Sequence, residues 1–275
     1  MNRAQIDGKV LEYEVRGAGE PVVLVHGAHL ADAFAPLLAE PALTERYRLI
    51  LYHRHGFAGS THAEVPLSIA QQAADCRALM DHLGVRRAHV AGHSYGGVIG
   101  LQLALDYPDM VHSLALLEPA LLIVPSTPQF MEAMGPIMQT YEAGDKMGAV
   151  DDFLQTVVGP EYRSVLDRVV PGAFEQAVAD ADTYFRFEDP ALDEWSFTQA
   201  EAGRITQPVL AVIGADSHTL WPGWAEIHDL VQDWLPQSEA FVLEGATHGL
   251  QMMNPQGMAA GLAGFFARHP MPERP

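Results

Sequence analysis

An apolar run meets a glycine-flanked serine in the segment Val90-Ala91-Gly92-His93-Ser94-Tyr95-Gly96-Gly97. The pattern Gly-x-Ser-x-Gly is typical of a sharp turn that joins a strand to a helix. Such a turn forces its serine into a strained backbone conformation, and side chains at positions 92 and 96 would collide, so both positions need glycine. The segment therefore predicts a strand over 88–91, a helix over 96–107, and a serine hydroxyl exposed at the tip of the turn.

The same turn predicts an anion-binding position beside Ser94. The amide N–H of Tyr95 and the start of the helix point toward any oxyanion that forms next to the serine hydroxyl. Patterns of five residues also recur by chance, and an ordinary glycine-rich turn is the alternative interpretation. The rest of the chain decides between the two.

The composition limits the class of protein. The chain has 275 residues, of which 48% are hydrophobic, enough to bury a large core and too many for a disordered chain. The net charge of −19 would repel phosphate backbones and anionic lipid surfaces, which disfavours nucleic acid and membranes as partners. No apolar run approaches membrane-spanning length, residues 1–5 lack the apolar segment of a signal peptide, and the single cysteine, Cys76, cannot form an internal disulfide. We therefore expect a soluble cytoplasmic protein with a small-molecule partner.

Strand and helix patterns alternate on both sides of the serine turn. Asp7-Gly8 stands between two strand-like runs and predicts an antiparallel β-hairpin. Ser68 begins a helical stripe of apolar residues that ends at Gly84. Further buried strands are predicted at 21–25, 47–52, 88–91, 114–117, 209–213 and 240–243. The alternation predicts an α/β protein with a mostly parallel central sheet and helices on both faces.

The alternation breaks between about residues 120 and 207. This region holds aromatic residues at helical spacing and no strand-like run. We therefore divide the chain into a core, residues 1–119 and 208–275, and an inserted helical domain, residues 120–207. Because the insertion follows the carboxyl end of a strand, we expect it to lie over Ser94 as a cap.

Two further motifs accompany the serine turn. His26-Gly27-Ala28 follows an early strand, and Gly245-Ala246-Thr247-His248 follows a late one. With these motifs in this order, nucleophile first and histidine last, nearly the whole chain resembles the α/β-hydrolase-fold family with a cap domain. The resemblance implies that Ser94 is the nucleophile and His248 the general base. It also implies an oxyanion hole formed by the backbone amides of Ala28 and Tyr95.

These residue types suit acyl transfer. A serine hydroxyl is too weakly acidic to attack a carbonyl unaided, so an imidazole must take its proton and later return it to the leaving group. A carboxylate must then hold the imidazole in one tautomer and stabilise the imidazolium.

The identity of that carboxylate is open between Glu118 and Asp216. Asp216 follows the predicted strand 209–213, but the family commonly places the acid three residues after the strand-ending glycine, where this chain has Ser217. Glu118 ends the preceding predicted strand, which resembles the alternative acid position of some haloalkane dehalogenases of this fold. We favour Glu118 because register at a strand end decides where a side chain points. Otherwise Asp216 caps a turn, or Glu118 anchors the start of the cap.

The remaining histidines have less specific contexts. His29 and His93 border the expected pocket, and we assign them to substrate binding, with pocket lining as the alternative. His26 is expected to hold its loop in shape. His26 and His29 do not make a metal site because no clustered acid or cysteine completes it, and we expect neither a metal nor a cofactor. His53 and His55 lie in a loop that departs from the family pattern Asp-x-Arg-Gly-x-Gly-x-Ser and receive no role.

The leading hypothesis is a serine hydrolase that cleaves a small ester, lactone or thioester in an aromatic-lined pocket beneath the cap. Similar triads of this fold also cleave carbon–carbon bonds of dienoic diketones or catalyse perhydrolysis without a cofactor. Serine at the nucleophile position disfavours dehalogenase and epoxide hydrolase chemistry, which needs a carboxylate there. Outside catalysis, the alternative is a receptor for a small ligand.

Overall fold

In the computed structural model, which describes residues 1–272, the chain begins with a β-hairpin. Strand β1 (Asn2–Ile6) pairs antiparallel with β2 (Lys9–Arg16). Asp7 and Gly8 both have positive φ, 48° and 83°, which a two-residue turn needs if its twist is to match that of the strands. The hairpin predicted from Asp7-Gly8 is present.

The hairpin is the edge of an eight-stranded sheet. The other strands are β3 (Glu20–Val25), β4 (Tyr47–Tyr52), β5 (Ala88–His93), β6 (Val111–Leu117), β7 (Val209–Gly214) and β8 (Ser238–Leu243). The strand order is β1-β2-β4-β3-β5-β6-β7-β8, in which β2 pairs antiparallel with β4 and every later pair is parallel. The mostly parallel sheet predicted from the sequence is confirmed. Because parallel strands end at the same edge, the loops after β3, β5, β6, β7 and β8 lie together.

Helices connect the strands. They are α1 (Pro41–Thr44), α2 (Ile69–His82), α3 (Tyr95–Asp106), α4 (Thr127–Glu142), α5 (Lys146–Val158), α6 (Tyr162–Val169), α7 (Ala173–Ala179), α8 (Asp189–Glu194), α9 (Gln199–Ala202), α10 (Gly223–Trp234), α11 (Leu250–Met253) and α12 (Pro255–Arg268). Short 3₁₀ turns cover Ala35–Ala39, Pro108–Met110 and Ser217–Thr219, and Thr183–Glu188 is π-helical. None of these helices within residues 1–272 is long and apolar enough to cross a membrane.

Local signals set several helix boundaries. Ser68 Oγ accepts a hydrogen bond from the Gln71 amide at the start of α2, and Asn254 Oδ1 does the same for Gly257 at the start of α12. The helix predicted over 96–107 runs from Tyr95 to Asp106. The strand predicted over 114–117 begins earlier, at Val111, because parallel pairing with β5 continues through polar positions that interrupt the apolar run.

Alternate residues of the buried strands face opposite helical layers. In β3, Val23 and Val25 pack in one core cluster with residues of α2, α3 and α10, whereas Val22 and Leu24 pack in a second cluster with residues of α1 and α12. This two-residue period is the geometry of a strand covered on both faces. The sheet therefore lies between two layers of helices.

The chain leaves the sheet between β6 and β7 and forms helices α4 to α9 with the π-helical segment. Apolar side chains of this region, including Phe130, Phe153 and Phe185, belong to the same core cluster as the α2–α3 layer. These helices therefore pack onto the rest of the protein near the end of β6.

Candidate active site

Ser94 occupies the sharp turn between β5 and α3. Its φ of 53° and ψ of −119° are strained for a residue with a side chain. A Cβ atom on Gly92 would lie 2.3 Å from the Gly96 carbonyl oxygen, and one on Gly96 would lie 2.1 Å from the Val25 carbonyl oxygen. Both flanking positions therefore require glycine, as the sequence predicts, and the close packing fixes Ser94 at the tip of the turn.

A buried hydrogen bond joins His248 to Glu118. His248 Nδ1 donates to Glu118 Oε2 over 2.6 Å, and the Gly214 amide donates to Glu118 Oε1 over 2.8 Å. The carboxylate is almost inaccessible to solvent, since Glu118 is 1% exposed. Because Nδ1 is engaged, Nε2 is the nitrogen of His248 that remains for proton transfer.

The end of β6 directs Glu118 toward His248. Glu118 follows the last residue of β6, has a positive φ of 42°, and donates its amide N–H to the Val212 carbonyl over 3.1 Å. Asp216, the other candidate acid, precedes the turn Ser217–Thr219 with its side chain exposed. The structure therefore brings Glu118, and not Asp216, to the histidine.

Ser217 fills the position where the family commonly has its acid. It is fully buried, and its Oγ has no hydrogen-bond partner within residues 1–272. The hydroxyl lies close to β7, since a Cβ atom on Gly214 would lie 2.7 Å from it. A short neutral side chain thus stands where the resemblance would place an acid, and the carboxylate that contacts His248 follows the neighbouring strand β6.

Two rings flank the imidazole of His248. The indole of Trp224, in α10, stacks on it with ring centroids 3.9 Å apart and planes 14° apart. His93 Nε2 donates to the His248 carbonyl over 2.9 Å, and Gln251 Nε2 donates to His93 Nδ1 over 3.3 Å. Burial and the nearby His248 hold the pKa of His93 well below its ordinary value, so His93 stays neutral. No sequence pattern predicts the position of Trp224, because only the packing of α10 brings it to the histidine.

Ser94 and His248 line two adjoining cavities, which also share Ala28, Phe153 and Val157. The first cavity is further lined by Gly27, Leu30, Ala33, His93, Leu154, Val158 and Met252. The second cavity is further lined by Tyr95, Ala120, Leu122, Phe130, Tyr184, Leu192 and Trp224. Their free volumes are about 20 Å³ and about 30 Å³, room for one or two water molecules each. The walls are mostly apolar, and the polar groups gather at Ser94.

The amide of Tyr95 lies beside Ser94 at the start of a helix. Tyr95 is the first residue of α3, so its amide N–H has no acceptor within the helix, and it lines the second cavity together with Ala28 and Ser94. Within residues 1–272, His248 bonds to Glu118 through Nδ1 and accepts a bond from His93 at its carbonyl oxygen, and no hydrogen bond joins it to Ser94. Contacts between a nucleophile and its base often shorten only when substrate binds.

Arg54 supports the loop that carries Ala28. Its Nη2 donates to the Gly27 carbonyl over 2.8 Å and its Nε to the His26 carbonyl over 3.1 Å. The Arg54 amide donates to His26 Nε2 over 3.0 Å. Burial and the Arg54 charge hold the pKa of His26 well below its ordinary value, so the ring is a neutral acceptor. His26 thus has the loop-holding position expected from the sequence, while the role of Arg54 was missed.

The same guanidinium forms a buried ion pair with Glu188 in the π-helical segment. The two side chains are 1% and 0% exposed. Burial raises the pKa of Glu188, and the charge of Arg54 opposes that shift. Arg54 also donates to Gln72 Oε1, and Tyr95 Oη donates to the Glu188 carbonyl over 3.2 Å. A polar network therefore connects the Gly27–Ala28 loop to the helical region after β6.

His29 lies behind the cavity wall. Its ring packs against those of Phe153, Tyr184 and Phe185 at centroid distances of 4.8, 4.7 and 5.0 Å. Neither ring nitrogen has a hydrogen-bond partner within residues 1–272, and burial lowers the pKa of His29 to about 3. Phe153 and Tyr184 line the second cavity, whereas His29 lines neither cavity. Of the two histidines assigned to substrate binding, only His93 reaches a cavity wall.

No group of three or more histidine, cysteine or acidic side chains within residues 1–272 is arranged to hold a metal ion. The sequence pairs His26 with His29 as a possible metal site. In the structure, both ring nitrogens of His26 contact backbone groups, one of Gly27 and one of Arg54.

Comparison with known proteins gives a family match. A family model described as alpha/beta hydrolase fold matches residues 20–255. A protein named as a carbamate hydrolase, RutD, of Azorhizobium caulinodans is 42% identical over 106 residues, which cover 38% of this chain and 40% of that protein. The match to this relative therefore spans about two-fifths of its length.

Two further comparisons cover nearly the whole chain. The dihydrolipoyllysine-residue acetyltransferase component of an acetoin cleaving system from Pseudomonas putida is 27% identical over 273 residues, covering 97% of this chain and 69% of that protein. The crystal structure of the enol-lactonase from Burkholderia xenovorans LB400 matches with a TM-score of 0.81 and 21% identity, covering 97% of this chain and 100% of that one. At that identity, the structural match establishes a common fold.

Proposed function

Because the chain belongs to the α/β-hydrolase-fold family, we propose that it is a serine hydrolase with a catalytic triad of Ser94, His248 and Glu118. The observation that carries the proposal is the 2.6 Å bond from His248 Nδ1 to Glu118, next to a serine held in a strained turn. A buried carboxylate bound to one imidazole nitrogen orients the other nitrogen as a base, which a structural histidine does not need.

In the first half of the reaction, His248 Nε2 takes the proton of Ser94 Oγ as the oxygen attacks the substrate carbonyl carbon. The resulting oxyanion accepts hydrogen bonds from two backbone amides, that of Ala28 and that of Tyr95, the first residue of α3. Glu118 stabilises the imidazolium that forms. His248 then gives its proton to the leaving group, and the acyl group stays on Ser94.

In the second half, water replaces the leaving group. His248 takes a proton from the water as it attacks the acyl carbon, and the same amides hold the second oxyanion. When this intermediate collapses, the proton returns to Ser94 Oγ and the acid product leaves. Each residue therefore ends the cycle in its starting protonation state.

We further propose that residues 120–207 act as a cap over this site. Phe130, Phe153, Tyr184 and Leu192 come from this region and supply much of the wall of the second cavity. Their apolar character favours a small neutral ester, lactone or thioester over a charged substrate. The small free volume implies that the cap helices shift outward when substrate enters.

A labelling experiment tests the proposal. A fluorophosphonate should modify Ser94 in the purified protein, as peptide mass spectrometry would detect, and Ser94→Ala should abolish both labelling and turnover of p-nitrophenyl acetate. A lactone, a thioester and a carbamate extend the substrate screen. Labelling at another residue, or equal turnover by Ser94→Ala, would contradict the triad. Ligand binding without turnover in both proteins would support a receptor.

A further inference from the structure

An open pocket on the surface adjoins the second cavity. This outer pocket has a volume of about 140 Å³. Three of its lining residues, Ala120, Leu122 and Leu192, also line the second cavity beside Ser94 and His248. The outer pocket and the second cavity therefore lie on opposite sides of one wall. The wall is made of these small and flexible apolar side chains.

Seven of the eight residues that line the outer pocket are apolar, and the eighth is Asp193. Ile123 is 50% exposed, and the rings of Trp195 and Phe197 stack with centroids 5.6 Å apart and planes 8° apart. Trp195 Nε1 donates to Gln102 Oε1 over 2.7 Å, so its one donor is already used. The lining therefore combines apolar side chains, which suit a hydrocarbon chain, with polar atoms that include the Asp193 carboxylate.

The wall is formed by two parts of the chain that are distant in sequence. Leu122 belongs to the segment just after β6, and Leu192 belongs to α8. Both leucines are only partly buried, and leucine side chains change rotamer readily at such positions. Asp193 lies at the same pocket and brings a negative charge, which disfavours a chain that ends in a carboxylate.

We propose that the outer pocket is a binding subsite for the alkyl chain of a neutral ester or lactone whose carbonyl lies at Ser94. The chain passes between Leu122 and Leu192 and rests on Trp195, whose other side is stacked on the buried ring of Phe197. The inference rests on the proposed function and specifies its substrate class: carbonyl compounds with an uncharged, unbranched tail too long for the second cavity alone.

Chain-length selectivity tests the subsite. In the wild type, kcat/KM for p-nitrophenyl esters should rise about fourfold for each methylene that enters the subsite, from acetate toward decanoate. Leu192→Trp fills the passage and should flatten this rise, lowering the ratio of kcat/KM for the octanoate to kcat/KM for the acetate at least tenfold. Leu122→Ala widens the passage and should shift the optimum to longer chains. A parallel series of alkyl acetates identifies whether the acyl or the alcohol side uses the subsite.

Controls separate this inference from the proposed function. Met131 is 43% exposed on α4 and lines neither space, so Met131→Trp adds the same bulk elsewhere and should keep the wild-type rise. If Ser94 is labelled and acetate is hydrolysed, but neither leucine variant changes the chain-length profile in either series, the subsite is wrong and the hydrolase stands. If Leu192→Trp does not fold, as judged by circular dichroism, the Leu122→Ala profile decides alone.

Discussion

His248 Nδ1 donates a 2.6 Å hydrogen bond to Glu118 Oε2, and Glu118 stands directly after β6 rather than in the loop after β7. We expect Glu118→Gln to lower kcat by about four orders of magnitude, because the amide no longer fixes the imidazole tautomer or stabilises the imidazolium. Steady-state kinetics on p-nitrophenyl acetate measure the loss, and an unchanged circular dichroism spectrum shows that the fold survives.

Asp216→Asn is the matched control for this acid. The Asp216 side chain is exposed, and we expect its amide variant to keep kcat within about twofold of the wild type. If Asp216→Asn lost activity while Glu118→Gln kept most of it, the assignment of the acid would have to be reversed.

The stack of Trp224 on His248 predicts a second kinetic effect. An aromatic face stabilises a desolvated cation by about 2 kcal/mol, and in the proposed mechanism the imidazolium forms only when Ser94 gives up its proton. Trp224→Leu should therefore lower kcat about 10- to 30-fold with a smaller change in KM. Trp224→Phe keeps an aromatic face and should retain most of the rate. Equal losses in the two variants would mean that the indole contributes packing alone.

The ion pair of Arg54 and Glu188 predicts a coupling in stability. Arg54→Met leaves a buried carboxylate unpaired and should lower the free energy of unfolding by about 3–5 kcal/mol. Adding Glu188→Gln to that variant removes the stranded charge, so the double variant should be more stable than the sum of the single changes allows. Urea unfolding of the four proteins gives the coupling energy. Strictly additive effects would show that the pair does not act as a unit.

His53 predicts a pH dependence of stability. Burial lowers its pKa, but bonds to Asp32 Oδ1 at 3.0 Å and Glu12 Oε2 at 3.2 Å outweigh burial and raise the pKa above its ordinary value. The protonated ring therefore stabilises the fold fully below the unfolded-state value of about 6.5, and this contribution is lost as pH rises through the raised folded-state value.

The corresponding variant is His53→Gln. The difference in free energy of unfolding between wild type and His53→Gln should be largest near pH 6 and shrink toward pH 9, as followed by urea midpoints. His82→Gln, at an exposed position near the end of α2, is the control and should shift stability little at either pH. A difference that grew with pH would contradict the assigned direction of the pKa shift.

Sequence patterns were sufficient for the sheet and for the serine turn because both depend on local rules. Glycines at 92 and 96 are required by contacts within a few residues of Ser94 and with the adjacent strand β3. The preference for Glu118 over Asp216 rested on register at a strand end, and in the structure the Glu118 carboxylate lies 2.6 Å from His248 Nδ1.

The contacts that complete the site could not be predicted in this way. Arg54 and Glu188 are 134 positions apart, and Trp224 meets His248 only because α10 packs against β7 beside the loop after β8. His29 is the opposite case, a residue for which the sequence suggests a role in the pocket that its packing does not support. Its place in the chain suggests a pocket residue, but its positive φ of 59° and three neighbouring rings put its side chain behind the wall. Such orientations depend on tertiary packing rather than on sequence spacing.

The position of Glu118 has a consequence for protein engineering. Glu118 directly follows β6, only two positions before the helical region of residues 120–207 begins, and it carries the 2.6 Å bond to His248. In a relative whose acid follows β7, the segment after β6 could be exchanged wholesale without touching the triad. In this chain, a graft that replaces residues 120–207 keeps this carboxylate when it is spliced after Pro119, whereas a junction after Leu117 would delete it.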